Sequence, residues 1–292
     1  MSVIENFYSE EGLAKYSWFN LGGCAEFFYR PDNALELASF LKKNTKHINI
    51  IGAGSNTLIR DGGVKGVTIK LSSKFSFVKL LDDETLQVGA ATLDKKISDF
   101  ATQKSLSGFE FLSCIPGSIG GGIRMNSGCY GNDISKILVS VEIMDLAGNI
   151  KKISREEIKF YYRGCDLKNN LIILSANFKG KLSDKEKIKK EQLDLIEKKK
   201  NSQPNRIKTC GSTFKNTINK KAWELIKESN CENMSVGGAK ISEKHCNFFL
   251  NDDNATSLEI EGLINKVKKK VFETTGINLE LELQIIGENK VK

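Results

Sequence analysis

The spacing of apolar residues along the chain predicts short strands interleaved with amphipathic helices. Apolar runs flanked by glycine and polar turns are typical of strands, and they occur at residues 25–29, 48–51, 67–71, 77–81, 85–88, 139–145 and 172–178. Residues 34–44 have the periodicity of a helix. A second helix is indicated by apolar residues that repeat at the helical period, namely Leu93, Ile97, Phe100 and Ala101. The first third is therefore predicted to be a small α+β unit, followed by a strand-rich one.

A long polar helix separates this region from the last third of the chain. It is predicted at residues 183–200, opened by a possible capping box in which Ser183 precedes Glu186 by three residues. The segment that follows, 203–204, is Gln-Pro, and proline cannot continue a helix. We expect an exposed helix that ends in a linker and marks a domain boundary.

Two amphipathic helices and a strand are predicted after the linker. The helices lie at 221–229 and 256–275, and the second has a capping box, Thr256 with Glu259, and Gly276 at its end. The alternating pattern of 279–286 predicts a closing strand. The last third is therefore a further α+β region.

Composition and charge fit a folded protein with an anionic partner. Hydrophobic residues make up 40% of the 292 residues and charged residues 27%, as in ordinary globular domains. The net charge of +8 suits a phosphate-bearing small molecule, an acidic lipid or a nucleic acid. The lysines at 185–200 and 266–270 mix with acidic residues or follow one helix face, which favours a solvated surface, and no basic, aromatic-studded strand pair is visible. We expect no nucleic-acid partner.

The cysteines and the first residues predict a cytoplasmic protein. The seven cysteines form no Cys-x-x-Cys pair, and their odd number argues against a disulfide framework. The chain starts with acidic and polar residues, without the basic end and apolar run of a signal peptide, and no 18-residue apolar stretch occurs. We therefore expect neither export nor membrane insertion.

Two glycine-rich segments are candidates for ligand binding. The first, 51–56, reads Ile-Gly-Ala-Gly-Ser-Asn directly after an apolar run, so backbone N–H groups there could approach a phosphate. It lacks the third glycine of a Rossmann fingerprint and the Gly-Lys-Ser/Thr of a P-loop, and on its own it is better explained as a structural turn. The second, 115–128, has four glycines within six residues, which favours a ligand contact. Two such loops suit a dinucleotide.

A third candidate segment follows the linker. Residues 210–216, Cys-Gly-Ser-Thr-Phe-Lys-Asn, gather a hydroxyl, a lysine and an amide, which would suit a proton donor beside a phosphate binder. A capped turn explains the segment equally well. Cys210 has no base near it in sequence, which favours packing over a nucleophilic role, and His245 is left out of catalysis as a structural residue.

Six segments, in order and spacing, closely resemble the UDP-N-acetylenolpyruvylglucosamine reductase family. They are Asn-Leu-Gly-Gly-Cys-Ala at 20–25, Gly-Ala-Gly-Ser-Asn at 52–56, the run from 108–112 into Ile-Pro-Gly-Ser-Ile-Gly-Gly at 115–121, Tyr-Arg at 162–163, Gly-Ser-Thr-Phe-Lys-Asn at 211–216, and Gly-Ile-Asn-Leu-Glu-Leu-Glu at 276–282. Each segment alone is a weak signal. Together they cover nearly the whole chain, and the short interval between Arg163 and Ser212 resembles the subclass without an inserted tyrosine loop.

The resemblance implies an α+β fold with a two-part FAD-binding domain of the vanillyl-alcohol-oxidase (PCMH) type and a C-terminal α+β substrate-binding domain. The implied boundaries are 1–72 for the first FAD-binding subdomain, joined by a C-terminal strand at 283–292, then 73–200 for the second and 201–282 for the substrate-binding domain. FAD would be bound noncovalently, through Gly52, Gly54, Ser55, Asn56, Pro116, Gly117, Ser118, Gly120, Gly121 and Asn126.

The resemblance also implies the reaction. NADPH would reduce FAD and leave, and the enolpyruvyl ether of UDP-N-acetylglucosamine enolpyruvate would then be reduced to UDP-N-acetylmuramate, a peptidoglycan precursor. We expect a cytoplasmic, monomeric enzyme that binds no metal. Without the ordered segments, two alternatives stay open: another flavin oxidoreductase of the same fold acting on an alcohol or hydroxy acid, and a basic nucleotide- or nucleic-acid-binding module.

Three residues match the family's catalytic set. Arg163 and Glu282 would stabilise the charge that develops at the substrate carboxylate, and Ser212 would deliver the proton. Alternatively, Arg163 could form a surface ion pair and Ser212 could only shape a turn. Glu280, two residues before Glu282, could be the acid instead. Two further residues, Lys215 and Asn216, would hold the UDP diphosphate. Gly164-Cys165 and Thr217 depart from the family pattern, which affects the surroundings of these residues.

Overall fold

The computed structural model describes residues 5–205 and 207–290, which form two compact units. Unit 1 contains the described residues up to Phe7, Tyr29–Ala53 and Ile69–Lys199. Unit 2 contains Tyr8–Phe28, Gly54–Thr68 and the described residues from Lys200 onward. The division into 1–72, 73–200 and 201–282, with 283–292 joining the first part, stays a prediction.

Helices and strands alternate along the described chain. The α-helices are α1 (Ala34–Lys43), α2 (Asp94–Gln103), α3 (Ile119–Met125), α4 (Lys185–Ser202), α5 (Ala222–Glu228) and α6 (Ser257–Thr275). Short 3₁₀ turns lie at Ala14–Tyr16, Ser73–Phe75, Glu110–Cys114, Ile134–Lys136 and Arg155–Glu157. The strands are β1 (Phe7–Gly12), β2 (Cys24–Tyr29), β3 (Ile48–Ile50), β4 (Thr57–Ile59), β5 (Val64–Ile69), β6 (Val78–Leu80), β7 (Thr85–Gly89), β8 (Leu106–Ser107), β9 (Gly128–Cys129), β10 (Asn132–Asp133), β11 (Leu138–Met144), β12 (Ile150–Ser154), β13 (Phe160–Tyr161), β14 (Gly164–Cys165), β15 (Ile172–Lys179), β16 (Lys181–Leu182), β17 (Ser235–Val236), β18 (Ala239–Ile241), β19 (Phe249–Asn251) and β20 (Gln284–Ile286).

Unit 1 is built on a five-stranded antiparallel sheet of order β12-β11-β15-β7-β6. The central strand β15 is buried along nearly its whole length, as expected of a strand covered on both faces. Val88 of β7 lies opposite Ala176 of β15 on one side and Val78 of β6 on the other. Residues of α2 and α3, including Ile97 and Ile123, share a single buried core with these strands.

A buried acid lies at the start of α2. Asp94 is fully buried, and neither of its carboxylate oxygens has a hydrogen-bond partner in the described part of the chain. Burial away from water disfavours the charged form, and it raises the pKa of Asp94 from 3.8 to about 8. At neutral pH the folded protein therefore holds a proton that the unfolded chain has lost.

Replacing Asp94 by asparagine is expected to remove a pH dependence of stability. Because the folded-state pKa is raised, the free energy of unfolding falls as pH rises from about 4 to about 8, by roughly 1.4 kcal/mol per pH unit for one proton. Between about pH 5 and pH 7, the free energy of unfolding of Asp94→Asn should therefore fall by roughly 3 kcal/mol less than that of wild type. Urea unfolding at both values measures this. Asp83→Asn, at an exposed site, is the control, and an unchanged slope in Asp94→Asn would contradict the expectation.

Unit 2 packs α5 and α6 against a three-stranded sheet of order β17-β18-β19. The predicted capping box of α6 is present, with Thr256 accepting from Glu259 N, and the helix ends at Gly276 as expected. Asp61 also accepts hydrogen bonds from the backbone N and Oγ of Ser257, at 2.7 and 2.8 Å. Strand β20 pairs in parallel with β4 in the same unit.

Several predicted boundaries differ from the structure, and two of the differences have local reasons. The closing strand is limited to β20, because before it Leu281 makes an isolated bridge to Phe214. At the start of α4, Asp184 Oδ1 accepts from Lys187 N at 2.8 Å, so the aspartate, and not Ser183, accepts the hydrogen bond of the first turn. Among the described residues, no helix is both long and apolar enough to cross a membrane.

Candidate active site

Residues of both glycine-rich segments meet at a cavity in unit 1. The cavity has a volume of about 320 Å³, and Gly52, Ser118, Gly120 and Gly121 are among its lining residues. A Cβ atom at Gly52 would lie 2.9 Å from Ser118 Oγ, whereas one at Gly121 would meet no atom closer than 3.9 Å. The walls therefore come close together at Gly52 and are open at Gly121. Side chains at these two positions would fill the space between the walls, and we call this space, with Ser118 at its edge, the cradle.

Backbone hydrogen bonds fasten the second glycine segment to the end of the sheet. Ile119 N donates to Thr92 O at 2.9 Å, and Gly120 N donates to Ala90 O at 2.9 Å. Gly117 contributes its carbonyl oxygen, which accepts from Asp94 N at 3.2 Å. Pro116, just before, is exposed. Backbone hydrogen bonds thus help to hold the cradle in place.

Asn126 connects this segment to the hairpin that carries Arg163. Asn126 ends α3 with a left-handed conformation (φ 42°), and its side chain donates to Tyr161 O at 3.2 Å and accepts from Ser135 N at 3.1 Å. Tyr161 ends β13, and Arg163 is the second loop residue before β14. Its φ of 58° is uncommon for a residue with a side chain, and such positions concentrate at functional sites. Its guanidinium lies 5.0 Å from the centre of the Tyr162 ring.

In unit 2 the residues after Gly54 contact the C-terminal segment. Asn56 Nδ2 donates to Glu282 O at 2.9 Å, and Gln284 N donates to Asn56 O at 3.0 Å. Gly54 O accepts from Trp18 N at 3.1 Å. Ser55, half-buried, lies between them. The segment predicted to bind the cofactor is therefore also the neighbour of Glu282.

Ser212 and Glu282 lie on adjacent backbone segments. Glu282 N donates to Thr213 O at 3.0 Å, and Ser212 makes an isolated bridge to Phe248 on its other side. Glu282 is half-buried, whereas the side chain of Glu280 is 78% exposed and lies 3.7 Å from Lys215 Nζ. This geometry favours Glu282 over Glu280 as the acid beside Ser212.

Asn216, Cys210 and His245 each make defined contacts within the fold. Asn216 Oδ1 accepts from Ala222 N at 2.9 Å at the start of α5. Burial raises the pKa of the Cys210 thiol to about 11, and its Sγ lies 3.5 and 3.4 Å from the carbonyl oxygens of Gly54 and Thr57, in agreement with a packing role. Burial lowers the pKa of His245, whose Nδ1 accepts from Asn247 N.

Two cationic residues of the cavity were missed by the sequence analysis. Arg30 and Lys70 both line it. Each directly follows a strand, β2 and β5 respectively, and Lys70 N donates to Tyr29 O at 3.0 Å. In the sequence they are single basic residues outside any motif. Their position at one cavity becomes visible only once the ends of β2 and β5 lie side by side.

The comparisons with known proteins decide the family. An FAD-binding domain model matches residues 25–154, and the model of the UDP-N-acetylenolpyruvoylglucosamine reductase C-terminal domain matches 203–286. The reductase of that name from Pelagibacter ubique (strain HTCC1062) is 48% identical over 279 residues, covering 94% of this chain and 92% of the relative. The chain belongs to this reductase family. The reductase from Rickettsia bellii (strain RML369-C) is 43% identical over 291 residues, or 99% of this chain and 96% of the relative.

A solved structure of the family has the same fold. The crystal structure of UDP-N-acetylenolpyruvylglucosamine reductase from Thermus caldophilus superposes with a TM-score of 0.85 at 29% identity, covering 96% of this chain and 98% of the other. The predicted fold class is confirmed in its main parts, an FAD-binding domain followed by a C-terminal α+β domain of the reductase family. The chain is an FAD-dependent oxidoreductase of the family that acts on a UDP-sugar in peptidoglycan precursor synthesis.

Proposed function

We propose that the protein uses NADPH, through bound FAD, to reduce UDP-N-acetylglucosamine enolpyruvate to UDP-N-acetylmuramate. The observation that carries the proposal is the hydrogen bond from Glu282 N to Thr213 O, because it places the segment of the proposed acid directly beside that of the proposed proton donor, Ser212. Family membership supports the same reaction.

The residues present fit a flavin dinucleotide. The cradle formed by Gly52, Ser118 and Gly121 leaves room that side chains would close, and the cavity beside it bears cationic side chains that suit phosphate. When bound, FAD supplies the hydride chemistry that links NADPH to the substrate. The proposed cofactor residues are Gly52, Gly54, Ser55, Asn56, Pro116, Gly117, Ser118, Gly120, Gly121 and Asn126.

The chain's own residues stabilise charge and deliver a proton. As the double bond of the enolpyruvyl group is reduced, negative charge develops on the carbon beside the carboxylate. Arg163 would pair with this carboxylate and Glu282 would hydrogen-bond to it, and both contacts strengthen as the charge grows. Ser212 Oγ would then give its proton to the carbon, and Lys215 and Asn216 would hold the diphosphate.

The test follows the whole reaction in the purified protein. A flavin absorption spectrum shows whether FAD is bound, and NADPH oxidation is followed with and without UDP-N-acetylglucosamine enolpyruvate. We expect a flavin spectrum, and NADPH loss that requires the enolpyruvyl substrate. Rapid NADPH loss without that substrate would favour another flavin oxidoreductase, and a colourless protein would overturn the proposal.

We also propose that the enzyme is monomeric and cytoplasmic. The unpaired pattern of its seven cysteines suits a reducing compartment. Size-exclusion chromatography with light scattering tests whether the protein is a monomer, since a dimer would have twice the mass of the chain.

A further inference from the structure

The cavity of unit 1 carries more positive charge than its walls neutralise. Arg30, Lys70 and Arg124 line it, and none of its described lining residues is acidic. Arg124 is engaged by the protein itself, because its guanidinium donates to the carbonyl oxygens of Leu167, Lys168 and Leu171. Arg30 and Lys70 are the other two cations among the described lining residues, and Lys70 keeps a contact to the backbone of the first glycine segment.

Their placement is unfavourable without an anion. Arg30 Nε is buried and has no hydrogen-bond partner in the described part of the chain, which is a costly state for a charged donor. Lys70 donates to Gly52 O and lies close enough to Arg30 for the two charges to repel each other. Burial and this repulsion lower the pKa of Lys70 to about 8. An anion between the two side chains would relieve both costs.

We propose that Arg30 and Lys70 form a two-cation site for the pyrophosphate of the bound dinucleotide. The inference rests on the proposed cofactor set, since Lys70 contacts Gly52 directly. An arginine fork and a lysine point charge are complementary ligands for phosphate oxygens. Lys70 would also fix the backbone of the first glycine segment against the phosphate, which the glycine-rich sequence alone cannot do.

The test compares ligands that differ in phosphate. FAD and riboflavin share the flavin ring system, but only FAD carries the pyrophosphate. We expect Arg30→Gln and Lys70→Gln each to weaken FAD binding to the apoprotein by about 10- to 100-fold, the size of a charge-assisted hydrogen bond, and riboflavin binding by less than about twofold. Lys74→Gln is the control, because this exposed lysine nearby is not among the cavity's lining residues.

Thermal stability supplies an independent readout. Removing one of two repelling charges should raise the melting temperature of the apoprotein in Arg30→Gln while FAD affinity falls, and a residue that merely supports the fold would lower both. Equal losses for FAD and riboflavin, or unchanged FAD affinity in both variants, would overturn the inference. If wild type binds FAD but does not turn over the enolpyruvyl substrate, the proposed function fails while the two-cation site can still be confirmed by these affinities.

Discussion

Ser212→Ala is expected to be reduced by NADPH at about the wild-type rate and to be reoxidised by the enolpyruvyl substrate roughly 100- to 10,000-fold more slowly. The proposed role of the serine is confined to the second half-reaction, in which a carbon of the substrate must receive a proton. Ser212 lies between Gly211 and Thr213, with backbone contacts to Phe248 and to Glu282 through its neighbour, so removal of its hydroxyl leaves these contacts in place.

Stopped-flow absorbance separates the two half-reactions. The loss of the oxidised flavin absorbance with NADPH alone measures the first, and its return on adding UDP-N-acetylglucosamine enolpyruvate to the reduced protein measures the second. Ser212→Cys is a matched control that keeps a proton donor on the same carbon, and we expect it to retain part of the second rate. Equal damage to both half-reactions in Ser212→Ala would refute the role of proton donor.

The sequence predicts the elements whose signals are local. The cap and stop of α6 are determined by residues within one turn of each end, and Thr256 and Gly276 are where the pattern placed them. The strand β15 is also visible in the sequence, because it begins with three consecutive apolar residues, Ile172, Ile173 and Leu174. The strand predicted over 279–286 is shortened to β20, because the length of a strand depends on the partner beside it and not on its own alternation.

The candidate site likewise contains residues that the sequence reveals and residues that only the fold reveals. Its ordered segments identify the family, and the structure adds that the Ser212 and Glu282 segments are neighbours, although 69 intervening residues hide this in the sequence. Arg30 and Lys70 carry no motif, because their significance arises only when the ends of β2 and β5 meet at one cavity. Residues that act through a shared cavity are therefore the part of the site that sequence patterns reveal least.

The two glycines of the first loop illustrate how one motif combines different requirements. Gly52 faces the cavity, where a Cβ would meet the side chain of Ser118. Gly54 has a φ of 71°, and its Cβ would lie 1.8 Å from the carbonyl oxygen of Tyr16, which is backbone and cannot rotate away. A structural turn and a ligand cradle, which are alternatives when the sequence is considered alone, are thus adjacent in the same loop.

Gly54→Ala is therefore expected to destabilise the protein by roughly 2–5 kcal/mol, the sum of left-handed strain and of an overpacked contact. Gly276→Ala is the matched control: Gly276 has the same φ of 71° and lies in the same unit, but a Cβ there would meet nothing within 4 Å. It should cost only the strain, roughly 1–2 kcal/mol. Urea unfolding of the two variants gives the difference. Equal losses would mean that the Tyr16 backbone moves aside freely, and the close approach would then not be what requires glycine at position 54.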